Sequence, residues 1–263
     1  MLWEIIGTPH RLLGSCHSLP ENFEFPDWVT NSRAGIKRFV FERDHRNLSD
    51  DGMGIDQTEA HLKLPGVSEV YQRAKSFLVS IGCNDAIEPL LPWKAASYLD
   101  GCISRQLGLK REDGLEYRFR ALADIMKLSV EFLESPKRTL ELIDLACEPD
   151  KGGIAYFEDV LRDAESGAFQ LQLQNQIDAW INNSFEACII SQMDSLKSVP
   201  YIFNALITQR NREWVTPANR LLSETMPTLF IVGALHVVGS GSFIEQLEAS
   251  GFRFKLGYKV KPV

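Results

Sequence analysis

Two short apolar runs, far apart in the chain, constrain the fold more than anything between them. Arg38-Phe39-Val40-Phe41-Glu42 and Thr228-Leu229-Phe230-Ile231-Val232 are rich in β-branched and aromatic residues on both alternating faces. That pattern belongs to a strand buried between two layers rather than one with a wet side. Most of the text separating them has helical spacing, so the two runs are expected to meet in one sheet, with the middle of the chain packed on and beside it.

The rest of the chain agrees with that division. Leu2 to Ile6 and Arg11 to Leu13 are extended-type runs separated by the turn composition Gly7-Thr8-Pro9-His10, which predicts a hairpin, and a short helix is expected over Asp27 to Ala34. Val67 to Ser80, Trp93 to Arg105 and Leu115 to Met126 space apolar residues at three and four, with Pro65, Pro89 and Pro92 as punctuation. Lys127 to Glu134 alternates with period two and predicts one strand inside the helical text. Pro136 to Ser223 reads as helices again, broken near Asp150-Lys151-Gly152-Gly153 and Pro200. After a turn at Gly239-Ser240-Gly241, a helix over Ser242 to Ala249 and a last strand over Arg253 to Leu256 are expected. The prediction is a single α/β domain over 1–263. Its central sheet comes from the N- and C-terminal segments, 1–64 and 226–263, and a large helical insertion over 65–225 carries one strand near 128–133.

Both ends of this sheet deliver a Gly-x-x-His segment after an apolar strand, Gly14 to His17 and Gly233 to His236. In open α/β sheets, the loops after strand C-termini are where ligands bind. Glycine at the first position lets the backbone turn sharply and approach a ligand closely. Glu42 stands at the end of another buried run, where a carboxylate has to be paired, hydrogen-bonded or metal-bound. His17, Glu42 and His236 together form a 2-His-1-carboxylate set, a donor combination that suits Mn, Zn, Co or Fe with positions left open for water and substrate. The competing reading has both histidines hydrogen-bonded in the core or a loop, with Glu42 salt-bridged to Arg43 or Arg38. His10, His45 and His61 have no comparable framing.

Charge and cysteine usage exclude other classes. A formal charge of −7 and the absence of any Lys/Arg cluster disfavour nucleic acid or an anionic membrane surface as partner. No apolar run approaches the roughly 18 to 20 residues that span a bilayer, and Met1 to His10 does not have the layout of a signal peptide, so a cytoplasmic location is expected. The five cysteines are scattered without a Cys-x-x-Cys pair and are expected as reduced thiols.

Several segments, in order, resemble one known family. Leu12-Leu13-Gly14-Ser15-Cys16-His17-Ser18-Leu19-Pro20, Phe39-Val40-Phe41-Glu42 and Phe230-Ile231-Val232-Gly233-Ala234-Leu235-His236 are similar to motifs of the TraB/GumN family, relatives of the Tiki metalloproteases. Gly114-Leu115-Glu116 resembles the family's Gly-Val-Asp, Lys127 to Glu134 its lysine-led strand ending in Leu-Glu, and Thr208 to Trp214 its Arg-Asn-x-x-Trp helix. This chain departs from the pattern with Cys16 in place of an aliphatic residue, Glu116 in place of aspartate and Ser135 in place of threonine.

The resemblance implies an α/β fold with a helical insertion and, for the Tiki branch, metal-dependent cleavage of peptide bonds. On that reading His17, Glu42 and His236 hold one divalent cation, and a peptide or small molecule is the substrate. Glu134, a carboxylate at another predicted strand end, is the candidate general base, with a surface or helix-terminal carboxylate as its plainer reading. The family match brings in Arg210 to stabilise an oxyanion or clamp a carboxylate, and Asn211 to orient a ligand carboxylate. An exposed salt bridge is the simpler account of Arg210. Three alternatives stay open: Cys16 as a thiolate nucleophile beside a histidine, a non-catalytic binding or regulatory protein of the same fold, and a scaffold that acts through the helical insertion. Trp180 and Trp214 are expected as core.

Overall fold

The computed structural model describes residues 1–44, 46, 66–184 and 199–257. The expected boundary near 64, together with His45, His61 and Cys188, lies outside the described residues.

The elements, in chain order, are β1 (Leu2–Ile5), β2 (Arg11–Ser15), β3 (Leu19–Pro20), α1 (Asp27–Ser32), β4 (Arg38–Phe41), α2 (Val67–Ser80) and α3 (Pro92–Gln106). They continue with β5 (Leu109–Lys110), α4 (Leu115–Met126), β6 (Ser129–Phe132), α5 (Arg138–Cys147), α6 (Ile154–Ser166) and α7 (Ala168–Ile181). A short helix α8 (Pro200–Phe203) runs through a π-turn (Asn204–Thr208) into α9 (Gln209–Leu222). Then come β7 (Thr228–Gly233), a 3-10 turn (Ala234–His236), α10 (Phe243–Ala249) and β8 (Phe254–Leu256).

Six strands form one sheet in the order β6-β4-β7-β2-β1-β8. The four strands β6, β4, β7 and β2 are mutually parallel, and at the far side β1 pairs antiparallel with both β2 and β8. The fold is therefore α/β, with the N- and C-terminal segments pairing as the apolar runs require. One strand from the helical middle joins them, because β6 extends the sheet beyond β4, with Arg38 opposite Ser129 and Phe41 opposite Phe132. A second, two-stranded pairing of β3 with β5 was not legible in the sequence, since each partner is only two residues long.

Burial follows the patterning. Phe39, Val40, Leu229, Ile231 and Val232 are fully buried, as strands covered on both faces must be. Trp180 of α7 is also fully buried and donates its indole N–H to the Gly14 carbonyl at 2.9 Å, which ties the helical middle to the mouth of β2. The insertion has its own apolar cluster, where Tyr71 and Leu78 of α2, Leu99 and Cys102 of α3, and Phe157 and Leu161 of α6 pack together. Among the described residues, no helix is long and apolar enough to cross a membrane.

Candidate active site

Four parallel strands end at one sheet edge, and that edge collects the predicted residues. Ser15 pairs with Gly233 at the ends of β2 and β7, while Phe41 lies opposite both Ile231 and Phe132. Just past these positions the Glu134 N–H donates to the Glu42 carbonyl at 2.8 Å, so two glutamates stand side by side where β4 and β6 finish. His17 and His236 follow two and three residues beyond the ends of β2 and β7. The topology has brought together residues as far apart in sequence as His17 and His236.

Glu42 is the hub. Its side chain is 3% exposed, Oε2 accepts from Nη2 of Arg210 at 2.6 Å, and Oε1 accepts from the Gly233 backbone N–H. The Oε1 atom also lies 3.9 Å from Nε2 of His236. Burial alone would raise the Glu42 pKa, but Arg210, the two histidines and Arg43 outweigh it and hold the carboxyl well below the usual range. Of the simpler pairings considered for Glu42, Arg38 is occupied elsewhere, by Glu224, Thr228 and the Leu221 carbonyl.

Gly233 must be glycine. A Cβ there would stand 2.7 Å from Nε2 of His17 and 3.1 Å from Oε1 of Glu42. The same figures show that His17 and Glu42 converge on one face of this backbone position. Gly114 is equally constrained, since a Cβ would fall 2.0 Å from the His17 carbonyl oxygen. That contact, with the Leu115 N–H donating to the Cys16 carbonyl at 3.1 Å, docks the start of α4 on the His17 loop.

Glu116, in the first turn of α4, then reaches His17. Its Oε1 lies 2.7 Å from Nδ1 of His17 and also accepts from the Ser15 hydroxyl. Desolvation works against a proton on His17, yet the charge and hydrogen bond of Glu116, with help from Glu42, prevail and raise its pKa. The side chain remains 49% exposed, which makes it the open member of the cluster.

His236 is held differently. It is buried, Nδ1 meets Oδ1 of Asn211 at 2.7 Å, and the Asn211 amide donates to the Gly241 carbonyl at 2.8 Å. With the amide so oriented, Nδ1 carries the hydrogen and Nε2 the lone pair. That lone pair faces Nη1 of Arg210 at 3.1 Å. Burial, with Arg210 nearby, pushes the pKa down to about 3 despite Glu42, so the ring is neutral. Trp214 packs against it, with ring centroids 4.4 Å apart.

Arg210 is 4% exposed and donates to both glutamates, to His236 and, through Nη1, to the Leu206 carbonyl of the π-turn. It also stacks over Trp214 at 4.7 Å. Glu134 accepts from Arg210 Nε at 3.1 Å and Nη2 at 2.7 Å, from the Trp214 indole at 3.0 Å and from Thr139 at 2.9 Å. The carboxylate expected as a free general base thus has both oxygens occupied in holding Arg210. Cys16 is a protonated thiol, its pKa pushed up to about 12 by burial and by Glu116, which removes the thiolate nucleophile at neutral pH.

The donor types around Glu42 match a first-row divalent metal. Their supports match as well, because each imidazole has Nδ1 fixed by a second residue and Nε2 on the side of Glu42, the arrangement that orients metal-binding histidines. Among the described residues, no three His, Cys, Asp or Glu side chains already stand at ligand spacing around one point. At His236 the reason is visible, since its lone pair is taken by Arg210. An ion at His236 would have to displace that hydrogen bond.

Sequence reasoning missed three contributors. Glu116 was noticed only as a departure from a family motif, Trp214 was read as core without its link to His236 and Glu134, and Arg43 was considered only as a partner for Glu42. The first-turn position of Glu116, two residues after Gly114, was the available signal.

Comparison with known proteins places these motifs in context. The pattern of the TraB/PrgY/gumN family matches residues 1–255. Two curated relatives are similar, the uncharacterized protein YbaP of Escherichia coli (strain K12) and that of Shigella flexneri, each 27% identical over 158 residues. That match covers 59% of this chain and 55% of the relative, so the chain spans about half the length of the curated relatives it matches. No solved structure matches the chain.

Proposed function

The chain belongs to the TraB/PrgY/gumN family, and on that premise we propose that it is a metal-dependent hydrolase, acting on a peptide or a related small amide, with its centre at His17, Glu42 and His236. The observation that carries this reading is the paired support of the histidines: Glu116 fixes Nδ1 of His17, Asn211 fixes Nδ1 of His236, and both Nε2 atoms lie on the side of one carboxylate, Glu42. A divalent ion of the Mn, Zn, Co or Fe kind supplies Lewis acidity for a carbonyl and activates water near neutral pH.

The chain's own residues do the rest. The buried carboxylates of Glu42 and Glu134 share hydrogen bonds from the Arg210 guanidinium, and His17 contributes its charge only when protonated. Metal binding and the His17 proton therefore compete, and affinity for the ion falls as the pH drops below the raised pKa of His17. Arg210, locked by Glu134 and Trp214, stabilises negative charge that develops beside Glu42. Glu134 acts through Arg210 as a positioning residue. The cytoplasmic setting expected from the sequence belongs to this reading and is tested by fractionating cells that express the natural gene product.

The Arg210 to His236 hydrogen bond favours a second reading, a closed, ion-free cleft that binds a ligand without turning it over. Reconstitution with Mn, Zn, Co or Fe, followed by elemental analysis and calorimetry, separates the two. Stoichiometric binding of one of these ions that is lost in His17→Ala and His236→Ala, with turnover of a peptide library, supports the hydrolase. No binding that depends on these histidines rules it out.

A further inference from the structure

Cys83 and Cys102 belong to one apolar cluster of the insertion, with Cys102 fully buried on α3 and Cys83 partly exposed in the turn after α2. Helix α2 ends at Ser80, and Gly82, with a left-handed φ of 69°, turns the chain so that the Cys83 N–H donates back to the Leu78 carbonyl at 2.9 Å. The turn is then strapped to α3 at both of its ends. The Gln106 side-chain amide donates to the Ile81 carbonyl at 2.6 Å, and the Tyr98 hydroxyl donates to the Asn84 carbonyl at 3.1 Å. Tyr98 and Gln106 lie one helical turn before and one after Cys102, on the same face of α3. The strapped segment therefore crosses α3 at Cys102, with Cys83 between the straps, and the two thiols hydrogen-bond each other.

Oxidation of a thiol needs access from solvent, and its capture as a disulfide needs a second thiol within reach. Cys83 meets the first condition and Cys102 the second. Burial pushes the Cys102 thiol up to about 11, but Nη2 of Arg105 stands 3.1 Å from its sulfur and stabilises negative charge as it develops there. Cys16, by contrast, turns its thiol to the Ser18 carbonyl at 3.3 Å.

We propose that Cys83 and Cys102 form a reversible oxidation site, closing into a disulfide that fastens the end of α2 to α3. The oxidant is a peroxide. The Cys83 sulfur attacks the O–O bond of hydrogen peroxide, becomes a sulfenic acid and releases a first water. The Cys102 sulfur then attacks the Cys83 sulfur, and the sulfenic hydroxyl leaves with the Cys102 proton as a second water. Two thiols are oxidised and one peroxide is reduced, and a thiol reductant reverses the bridge. Transient disulfides of this kind are compatible with a reducing compartment. Neither thiol belongs to the His17 centre, so the site is independent of the hydrolase reading.

The test uses the full chain, reduced, freed of reductant and treated with equimolar hydrogen peroxide, with remaining thiols blocked before intact-mass and peptide-mass measurement. In the wild type a loss of two hydrogens is expected, mapped to linked peptides carrying Cys83 and Cys102 and reversed by dithiothreitol. Cys83→Ser, which alters a partly exposed side chain and leaves the core intact, should abolish that loss. Cys102→Ser should leave Cys83 without its partner, so that peroxide adds oxygen to Cys83 or, with glutathione present, a mixed disulfide forms there. The oxidised wild type should melt at or above the temperature of the reduced form.

No loss of hydrogens, a bridge through any other cysteine, a bridge that survives Cys83→Ser, or one formed only between two chains would each overturn the proposal. A lowered melting temperature of the bridged protein would do the same, since it would mean that the disulfide is reached only by distorting the turn.

Discussion

The two Gly-x-x-His segments have the same spacing and end on the same sheet edge, yet their histidines finish in opposite states. His17 is half exposed, rests Nδ1 on the charged Glu116 and has a raised pKa. His236 is buried, rests Nδ1 on the neutral Asn211 and has a pKa pushed down to about 3. The tetrapeptide delivers an imidazole to the edge, and the surroundings then decide whether the ring can hold a proton. Burial opposes the charge on both rings, but Glu116 outweighs it at His17, whereas at His236 burial prevails with Arg210 beside it. The site thus combines a proton-exchanging histidine at its mouth with a permanently neutral one at its floor.

The buried half should be the more fragile. Arg210→Leu removes the guanidinium that hydrogen-bonds both Glu42 and Glu134, leaving two buried carboxylates without it, and is expected to destabilise the protein by about 3–5 kcal/mol in chemical denaturation. A loss below about 1 kcal/mol would mean that the floor of the site is wetter than its geometry implies. On the exposed side, the largest effect should come from Gly114→Ala, because the new Cβ meets a backbone oxygen that can move only with the His17 loop. A loss of about 1–3 kcal/mol is expected, together with disturbance of His17 and not of His236 in histidine NMR spectra.

Asn211→Leu leaves the Nδ1 hydrogen of His236 unmatched in a dry setting and should cost about 1–3 kcal/mol. Asn211→Asp is the sharper variant, since a carboxylate there should raise the pKa of His236 and make it resemble His17. The smallest change in stability is expected for Glu116→Gln, under about 1 kcal/mol because His17 is half exposed, with its main effect a lowered His17 pKa.

The asymmetry also sets the acid limit of the fold. His236 and Glu42 both have depressed folded-state pKa values, so below the ordinary range of each group the unfolded chain takes up protons that the folded one refuses. Stability is therefore lost as pH falls, from about 6.5 towards 3 for His236 and below about 4.5 for Glu42. His17 works the other way. Its raised pKa contributes stability that is complete below about 6.5 and fades as pH rises through the folded-state value. His236→Gln should flatten the acid limb of a stability-against-pH curve and leave its neutral limb in place.

Much of this was legible in the sequence because it rests on local pattern. Phe39 to Phe41 and Thr228 to Val232 announce buried strands by composition alone, and Lys127 to Glu134 announces β6 by its alternation. The convergence of His17, Glu42 and His236 followed from placing each after such a strand. What sequence could not supply was the identity of the groups behind those residues. Whether Arg210 lies on a solvated or a buried helix face depends on Glu42 and Glu134 at the ends of β4 and β6, which lie far away in sequence. Likewise, Glu134 reads as a free carboxylate until Arg210, Trp214 and Thr139 are seen to surround it. The β3 and β5 pairing was hidden because two residues carry no period.

The opposition of the two histidines is tested most directly by following the imidazole nitrogens in long-range 15N–1H spectra of the metal-free protein across pH 4 to 9, with His17→Gln and His236→Gln for assignment. The structure predicts that His236 stays an Nδ1–H neutral ring throughout and that His17 titrates above the usual pKa of about 6.5. If His236 takes up a proton near 6.5, or the two rings titrate together, the division of the site into a proton-exchanging mouth and a neutral floor is wrong.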